Sequence, residues 1–494
     1  MLMLQLMNLD LDRDKFKKLL YKVSDIVADL YSGLEERKVF SGLNPEDVQK
    51  LFYEDLPEHS FEPDNVLNKI KDDVIKTSTL NISPYFLAYV ASSGTQAGIM
   101  AEMIGVALNQ ICSKWHCSPV GAEMEKQVVE WIGEFIHYPL HYPNSGGSLV
   151  SGGSAANMSC LATARKVKAP FDVSKDGLKA GPQLTVYAST ETHSCIEKSI
   201  DSLGIGKRNL RKIKTNDDFT INIDDLEKQI INDKANNYYP ICVVANAGTV
   251  NTGAVDPLYK IADICKQYNL WFHIDAAYGG PAAGTNIVGD LFKGLELADS
   301  IALDPHKWLY APVEAGCALV KNVEALRGTF SILPDYLRLD MEKSTRFEFM
   351  EHTFQLSRNF RALKIWATFK TYGADLIRKS IEENIKTIKY LEELIDLSDD
   401  FEVLSSAILS VLCFRYKTSD EKYQHNDEYL NKLNQELLNA IEKDGRVFIT
   451  GTLVRENIVL RACCINHRTN KKHIEIFLQI IREIGQTVQA SLKD

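Results

Sequence analysis

Two short stretches of this sequence decide how the chain is organised: His273-Ile274-Asp275-Ala276-Ala277-Tyr278-Gly279-Gly280 and Asp304-Pro305-His306-Lys307-Trp308. The first overlaps the short apolar run 271–274, and the second follows directly on the run 300–303. Runs of this length that are apolar on both sides predict buried strands. Each predicted strand therefore leads straight into an acidic residue, and small or reactive side chains follow it.

The rest of the chain places these two strands in a larger sheet. Further short apolar runs, separated by helix-sized segments, predict strands at 148–150, 184–188, 241–245 and 317–320. This alternation is typical of an α/β fold, with a large mostly parallel sheet covered by helices on both faces. We expect a helical N-terminal segment over residues 1–95, a large domain over 96–375 and a smaller α+β domain over 376–494. In the smaller domain, strands are predicted at 408–416, 447–450 and 458–463.

Composition excludes several classes of function. The formal net charge is −10, and acidic and basic residues are mixed along the chain, so we expect no nucleic-acid partner. No uncharged apolar run is long enough to span a membrane. The 10 cysteines are scattered without a CxxC pair, which favours a reducing, cytoplasmic location. His137 and His141 have helical metal-ligand spacing, but Pro139 lies between them and breaks the helix, so we predict no metal site.

A glycine-rich turn follows the first predicted strand and leads into a helix. The turn is Ser151-Gly152-Gly153-Ser154-Ala155-Ala156-Asn157, and the predicted helix covers 158–166. Small residues let the backbone approach a ligand closely, and a helix N-terminus offers unpaired N–H groups and a positive dipole end. The turn is therefore a candidate phosphate site, although glycine-rich turns are common.

Asp275 and Lys307 are the candidate reactive pair. An Asp that closes a buried strand needs a cationic partner, and a Lys held beside a sheet can act as a nucleophile toward a carbonyl. On spacing alone, a structural ion pair between them is the alternative. Together with the glycine-rich turn, however, they supply what pyridoxal 5′-phosphate (PLP) requires: a phosphate site, a carboxylate for the ring nitrogen and a lysine for the aldehyde.

The two opening stretches resemble the signature of the group II PLP-dependent amino-acid decarboxylases. This family includes aromatic-L-amino-acid, glutamate, histidine, tyrosine and diaminobutyrate decarboxylases. Further similar segments occur in family order at 84–89, 118–119, 123–125, 192–194 and 359–361. The resemblance implies the fold-type I PLP architecture and a homodimer whose active site lies at the subunit interface.

The resemblance also implies the residues that contact the cofactor: Ser154, Ala155, Ala156, His193, Thr249, Asp275, Ala277, Asp304, His306 and Lys307. Lys307 would hold PLP as a Schiff base, and Asp275 would keep the ring nitrogen protonated. His193 would stack on the ring and help to orient the substrate. Asp304 departs from the animal aromatic enzymes, which carry Asn there, and an anionic Asp beside phosphate is unfavourable unless it is paired or turned away.

The reaction expected from the resemblance is decarboxylation of an L-amino acid to the amine and CO2. In the family a mobile loop brings a Tyr that protonates the reacting carbon, and Tyr336 matches that position. Related aldehyde synthases resemble the decarboxylases but carry Phe there. A transaminase fits the residues around Lys307 poorly. The alternative of a different class is an inactive PLP-fold binding protein, and the intact set of His193, Asp275, Lys307 and Tyr336 argues against it.

The substrate pocket is predicted from the same resemblance. Its expected residues are Asn81, Tyr89, Ser92, Ile111 and Ser113, and Ile111 and Ser113 would come from the partner subunit. Asn81 and Ser113 stand where the animal aromatic enzymes have Trp and Phe, so the pocket is wider or more polar than theirs. An aromatic amino acid is favoured, and glutamate, diaminobutyrate and histidine remain alternatives.

Overall fold

The computed structural model describes residues 9–332, 346–418 and 420–492, and a seven-stranded sheet lies at its centre. The strands are β1 (Gly146–Val150), β2 (Leu184–Ser189), β3 (Leu210–Ile213), β4 (Tyr239–Asn246), β5 (Trp271–Asp275), β6 (Ser300–Leu303) and β7 (Gly316–Val320). Their order across the sheet is β1-β7-β6-β5-β4-β2-β3, and β7 runs antiparallel to both of its neighbours while the other pairs are parallel. The predicted α/β fold with a mostly parallel sheet is confirmed.

Helices surround this sheet. The N-terminal helices are α1 (Arg13–Ser32), α2 (Pro45–Phe52), α3 (Pro63–Lys69, continued by a π-helical turn over Ile70–Ile75), α4 (Gln96–Leu108) and α5 (Pro119–Phe135). Between the strands lie α6 (Gly153–Lys168), α7 (Val173–Asp176), α8 (Ser194–Ser202), α9 (Ile223–Ala235), α10 (Leu258–Tyr268) and α11 (Val323–Phe330). Short 3-10 turns cover Trp115–Cys117, Leu178–Ala180, Lys207–Asn209, Gly280–Gly284, Gly289–Phe292, Leu295–Leu297 and Phe349–Glu351.

Both faces of the sheet are buried under helices, as adjacent residues of β4 show. Val243 belongs to a core cluster that includes Ile261 of α10, whereas Val244 belongs to another that includes Ile196 of α8. Successive strand residues point to opposite faces, so these two clusters cover opposite sides. Each fully buried side chain of this kind stabilises the fold by about 1.5–3 kcal/mol.

A second, antiparallel sheet forms the C-terminal part of the chain. Its elements are α12 (Arg361–Asp396), β8 (Phe401–Ser405), β9 (Val411–Tyr416), α13 (Asp427–Asp444), β10 (Thr450–Val454), β11 (Asn457–Cys463) and α14 (Lys471–Ser491). The strand order is β10-β11-β9-β8, which confirms the smaller α+β unit. Helix α12 changes direction at Gly373, whose φ is 71°, close to the domain boundary predicted after residue 375. The boundaries themselves stay a prediction.

The N-terminal segment is tied to this second sheet. The Leu87 N–H donates to the Phe448 carbonyl at 2.9 Å, and the Cys463 N–H donates to the Leu87 carbonyl at 2.9 Å. Residues 85–88 are buried in the same core cluster as β9 and β11. The end of the predicted helical segment therefore packs as part of the C-terminal unit.

A buried ion pair fixes α5 against β1. The guanidinium of Arg358 contacts the Glu125 carboxylate, and both side chains are almost fully buried. Arg358 also donates to the Leu149 carbonyl at 2.8 Å, and Glu125 accepts the Leu149 N–H at 2.8 Å. Removing one partner of such a pair costs about 3–5 kcal/mol, because the other charge is left buried. The pair therefore holds the strand that leads into the glycine-rich turn.

Two further features concern membrane-spanning helices and the cysteines. Within the described ranges, no helix is long and apolar enough to cross a membrane. All ten cysteines lie in these ranges and are free, as expected where thiols stay reduced. The cytoplasmic location itself stays a prediction.

Candidate active site

Neighbouring parallel strands bring the predicted reactive residues to one edge of the large sheet. Asp275 is the last residue of β5, and Asp304 directly follows β6, which pairs with β5 in parallel. Asn246 ends β4 and lies opposite Asp275 in the register. Ligands bind at the carboxyl edge of open α/β sheets, so these side chains mark the expected position of a site.

A cavity of about 450 Å³ opens at this edge, a volume typical of small-molecule sites, which span roughly 300–1,000 Å³. It brings together most of the predicted cofactor contacts: Ser154, Ala155, His193, Asp275, Ala277, Asp304, His306 and Lys307. Ala156 and Thr249 are fully buried and do not line it. The Thr249 hydroxyl instead accepts the Ala254 N–H at 3.0 Å, within the turn that follows β4.

Lys307 makes an ion pair inside this cavity. Its Nζ lies 3.0 Å from Asp304 Oδ2, and the Nε2 atom of His306 lies 3.9 Å from the same oxygen. Burial alone would lower the pKa of Lys307, but the carboxylates of Asp304 and Asp275 raise it above its ordinary value. The partner of Lys307 is thus Asp304, three residues earlier, and not Asp275. The second oxygen of Asp304, Oδ1, is buried and has no hydrogen-bond partner in the described part of the chain.

Asp275 keeps its carboxylate turned to the cavity. Its Oδ1 accepts the Ala277 N–H at 3.2 Å, and its Oδ2 lies 4.0 Å from the Cys195 sulfur. Both of these groups are neutral donors. A buried carboxylate with no directly bound cation is costly in free energy, so Asp275 is suited to a positively charged N–H group of a ligand.

His193 stands over the cavity at the start of α8. Its Nδ1 accepts the Cys195 N–H at 3.2 Å and so caps the helix. The surrounding protein lowers the pKa of His193 by removing water, although the charge of Asp275 opposes the shift. The ring is therefore neutral at neutral pH. Because Nδ1 accepts a hydrogen bond, the hydrogen lies on Nε2.

The glycine-rich turn forms another wall of the cavity. A Cβ atom on Gly153 would lie 2.8 Å from Asp304 Oδ2 and 3.0 Å from the Ala277 Cβ, so only glycine lets the helix begin this close. Helix α6 starts at Gly153, five residues earlier than predicted. Its first three N–H groups, on Gly153, Ser154 and Ala155, have no partner within the helix. The Ala156 N–H donates to the Gly152 carbonyl at 3.0 Å within the first turn of the helix, and the contact of Ala156 with the cofactor stays a prediction.

A larger cleft of about 1,110 Å³ adjoins the cavity and shares Lys307 and His193 with it. Of the predicted substrate contacts, only Tyr89 is among its lining residues. Within this single chain, four predicted substrate contacts line neither the cavity nor the cleft: Asn81, Ser92, Ile111 and Ser113. Their role stays a prediction. Tyr336 lies outside the described residues.

The sequence did not point to several residues that the fold places at the site. Cys195 and Asn157 line the cavity, and both lie within or next to the motifs already quoted. Arg461 lines the larger cleft and donates to the Val250 carbonyl at 2.8 Å and the Tyr89 carbonyl at 2.9 Å. Arg461 is far from both partners in the sequence, so no local sequence pattern predicts these contacts.

Comparison with known proteins agrees with this geometry. The family model of the pyridoxal-dependent decarboxylase conserved domain matches residues 45–417. The chain belongs to the pyridoxal-dependent decarboxylase family. The aromatic-L-amino-acid decarboxylase of Bacillus atrophaeus is 30% identical over 486 residues, which cover 98% of each chain. Phenylacetaldehyde synthase of Petunia hybrida is 30% identical and covers 96% of this chain and 94% of its own.

A solved structure supports the same assignment. The crystal structure of Oryza sativa TDC with PLP and tryptamine matches with a TM-score of 0.90 and 26% identity, over 97% of this chain and 99% of that one. As a pyridoxal-dependent decarboxylase, this protein is a carboxy-lyase for an amino acid and uses PLP as its cofactor. Its fold is the fold-type I architecture that the resemblance implied.

The cavity of this decarboxylase fits PLP chemically. Unpaired helix N–H groups suit a phosphate, the Asp275 carboxylate suits a protonated ring nitrogen, and Lys307 suits an aldehyde. The Asp304 carboxylate is the one discordant group, because it adds negative charge beside Gly153. Its pairing with Lys307 reduces that charge.

Proposed function

We propose that this enzyme decarboxylates an aromatic L-amino acid to the corresponding amine and CO2, in the cavity at the carboxyl edge of the large sheet. The observation that carries the proposal is the convergence of Lys307, Asp275 and the start of α6 on one space of about 450 Å³. The aromatic preference is supported by the Bacillus atrophaeus relative, which is an aromatic-L-amino-acid decarboxylase, and by the TDC structure with tryptamine.

Each wall of the cavity has a defined part in holding the cofactor. The N–H groups of Gly153, Ser154 and Ala155 and the Ser154 hydroxyl would bind its phosphate, with His306 beside them. Asp275 would pair with the ring nitrogen, and the neutral His193 ring would cover one face. When bound, PLP supplies an electron-accepting ring that stabilises the electron pair left when the carboxylate departs.

The surroundings of Lys307 affect both the protonation of its Nζ and the position of its side chain. Its Nζ must lose a proton before it can react with an aldehyde, and the contact with Asp304 Oδ2 at 3.0 Å stabilises the protonated amine until then. The same ion pair also keeps the amine inside the cavity, since Asp304 is buried. Lys307 is thus held in position for covalent attachment of the cofactor.

A panel of L-amino acids scored separately for CO2, amine and aldehyde tests this function. We expect release of CO2 and amine in equal amounts from tryptophan, tyrosine or their hydroxylated forms. Rates with glutamate, diaminobutyrate and histidine should be at least tenfold lower, since a polar group buried without a hydrogen-bond partner costs about 1–3 kcal/mol. Activity confined to glutamate would reject the aromatic preference and leave the carboxy-lyase assignment intact.

The second candidate reaction is aldehyde formation, because an aldehyde synthase is among the relatives of this chain. We propose that Tyr336 decides between the two by donating a proton to the carbon that has lost CO2. Tyr336→Phe should lower amine formation by roughly 10²–10⁴-fold. With O2 as the oxidant, aldehyde, ammonia and hydrogen peroxide should appear instead. Amine formation at the wild-type rate without aldehyde would show that Tyr336 is not the donor.

We also propose that the active enzyme is a homodimer. The face of α4 exposes a row of large apolar side chains to solvent in the single chain: Met100, Met103, Ile104, Val106 and Leu108. Ile111, a predicted substrate contact, is 50% exposed just beyond it. A second copy packed on this face would bury the row and bring Ile111 toward the other active site. Sedimentation of the holoenzyme should give a dimer, and a fully active monomer would contradict the proposal.

A further inference from the structure

A continuous chain of buried polar side chains ends on the Asp275 carboxylate. The Trp271 indole N–H donates to Ser300 Oγ at 2.8 Å, and Ser300 Oγ lies 2.9 Å from His273 Nδ1. His273 Nε2 in turn lies 2.7 Å from Asn157 Oδ1. The chain continues from the Asn157 amide to the Cys195 sulfur at 3.4 Å and from that sulfur to Asp275 Oδ2 at 4.0 Å. We call these side chains the donor chain.

The donor chain joins elements that are distant in sequence. Asn157 comes from α6 and Cys195 from α8, whereas His273 lies on β5 and Ser300 on β6. All four side chains are 0–4% exposed, so water does not compete for their hydrogen bonds. Buried networks that are fully satisfied hold their members in one arrangement.

His273 Nδ1 faces two oxygens of Ser300, the hydroxyl at 2.9 Å and the backbone carbonyl at 3.2 Å, and the hydroxyl is the closer. An indole N–H can only donate, so the Ser300 hydroxyl is free to donate to His273 Nδ1. The Asn157 carbonyl oxygen can only accept, so His273 carries its hydrogen on Nε2. The Asn157 NH2 group then donates to the Cys195 sulfur, and the thiol hydrogen is left to point at Asp275.

The protonation states agree with this direction. Burial lowers the pKa of His273 to about 4, so the ring is neutral and carries a single hydrogen. Burial, followed by the negative charge of Asp275, raises the pKa of the Cys195 thiol, so the thiol keeps its hydrogen. Asp275 therefore faces a neutral S–H donor and not a thiolate.

Cys195 is the side chain that is placed to donate a hydrogen bond to Asp275 Oδ2. The backbone N–H of Ala277 occupies Oδ1. The titratable and charged groups that face Asp275 are His193, Cys195, Lys307, Asp304, Cys160 and, on its own strand, His273. Of these, only the Cys195 side chain is within hydrogen-bond range of the carboxylate in the described part of the chain.

We propose that Cys195 is a positioning residue, which donates the last hydrogen bond of the donor chain to Asp275 Oδ2 and so keeps that carboxylate ionised and turned to the cofactor ring nitrogen. This inference rests on the proposed assignment of Asp275 to that nitrogen. A donor to a carboxylate favours the charged form. The proton shared between Asp275 and the ring nitrogen therefore stays on the nitrogen.

Solid-state NMR of the holoenzyme, reconstituted with PLP labelled at the pyridine nitrogen, tests this proposal at neutral pH. In Cys195→Ala the carboxylate loses a donor that favours its charged form, so the proton that it shares with the ring nitrogen should move toward it. The nitrogen signal should move toward the unprotonated value. Cys195→Ser, which keeps a donor, should retain the wild-type signal.

Cys242→Ala is the matched control, since Cys242 is a fully buried cysteine on β4 outside the donor chain. It should leave the nitrogen signal unchanged. Should Cys195→Ala fold poorly, Cys195→Val, which fills the space without a donor, is expected to behave as Cys195→Ala does. A wild-type signal in the alanine or valine variant, or an equal shift in Cys195→Ser, would overturn the role of the thiol. If Asp275→Asn also leaves the signal unchanged, the assignment of Asp275 itself fails.

Discussion

Lys307→Ala is expected to abolish decarboxylation, with a fall in kcat of at least about a thousandfold. The variant loses the amine that we propose attaches the cofactor and that lines the cavity. It also removes the partner of Asp304 at 3.0 Å, so the buried carboxylate remains unpaired. We expect the visible absorbance of bound cofactor to disappear from the purified protein.

Lys307→Arg separates the two roles of this residue. Arginine keeps a positive charge beside Asp304, so the folded state should resemble the wild type in its thermal unfolding. A guanidinium cannot form the covalent bond to the cofactor aldehyde, since it stays protonated. The arginine variant should therefore be as inactive as the alanine variant. If either variant retained more than a tenth of the wild-type rate, covalent attachment through Lys307 would not be required.

Asp275→Asn is expected to lower kcat by roughly 10²–10³-fold, the usual effect of removing one preorganised electrostatic group from an active site. The change keeps the shape of the side chain and removes its charge. A neutral amide cannot hold a proton on the ring nitrogen, so the ring becomes a poorer electron acceptor. Cofactor should still be bound, because the proposed phosphate site at the start of α6 and Lys307 are unchanged. Steady-state kinetics together with cofactor absorbance measure both quantities.

Asp299→Asn provides the matched control for this variant. Asp299 lies just before β6, at the opposite end of the strand from Asp304, and its carboxylate accepts the Phe272 N–H at 2.8 Å. Loss of its charge should leave kcat within about twofold of the wild type, because surface and peripheral changes of this kind alter free energies by less than ~0.5 kcal/mol. Equal losses in both variants would mean that the effect at Asp275 is structural.

Much of the large sheet could be predicted because its strands are buried on both faces. The runs around Ile301 and Val243 are apolar without interruption, the run around Ile274 is interrupted only by His273, and the structure places all three in strands. Strand β3 (Leu210–Ile213) was missed because it lies at the sheet edge and its two central residues, Arg211 and Lys212, are both charged. Strand β10 begins at Thr450, where the predicted strand 447–450 ends, since Phe448 pairs with Phe86 of the N-terminal segment instead of with β11.

Those residues of the site that lie at or just after the ends of strands could be predicted from the sequence. Asp275, Lys307 and the glycine-rich turn could be placed together because parallel strands share one carboxyl edge. The pairing of Lys307 with Asp304 was not predicted, because it depends on the turn geometry after β6. No local sequence pattern predicts the donor chain either, since His273 and Asn157 are 116 residues apart. Contacts of this kind depend on the packing of helices on the sheet.

Borohydride reduction of the holoenzyme, followed by proteolysis and mass spectrometry, tests the central claim most directly. Reduction converts a covalent bond between cofactor and lysine into a stable amine, so the modified lysine can be identified. Lys364 is the informative alternative, since its side chain is fully buried and lies 3.2 Å from Glu102. We predict that the cofactor mass lies on the peptide that contains Lys307 and on no other. Cofactor mass on Lys364 or another lysine, with Lys307 unmodified, would contradict the assignment of this cavity as the active site.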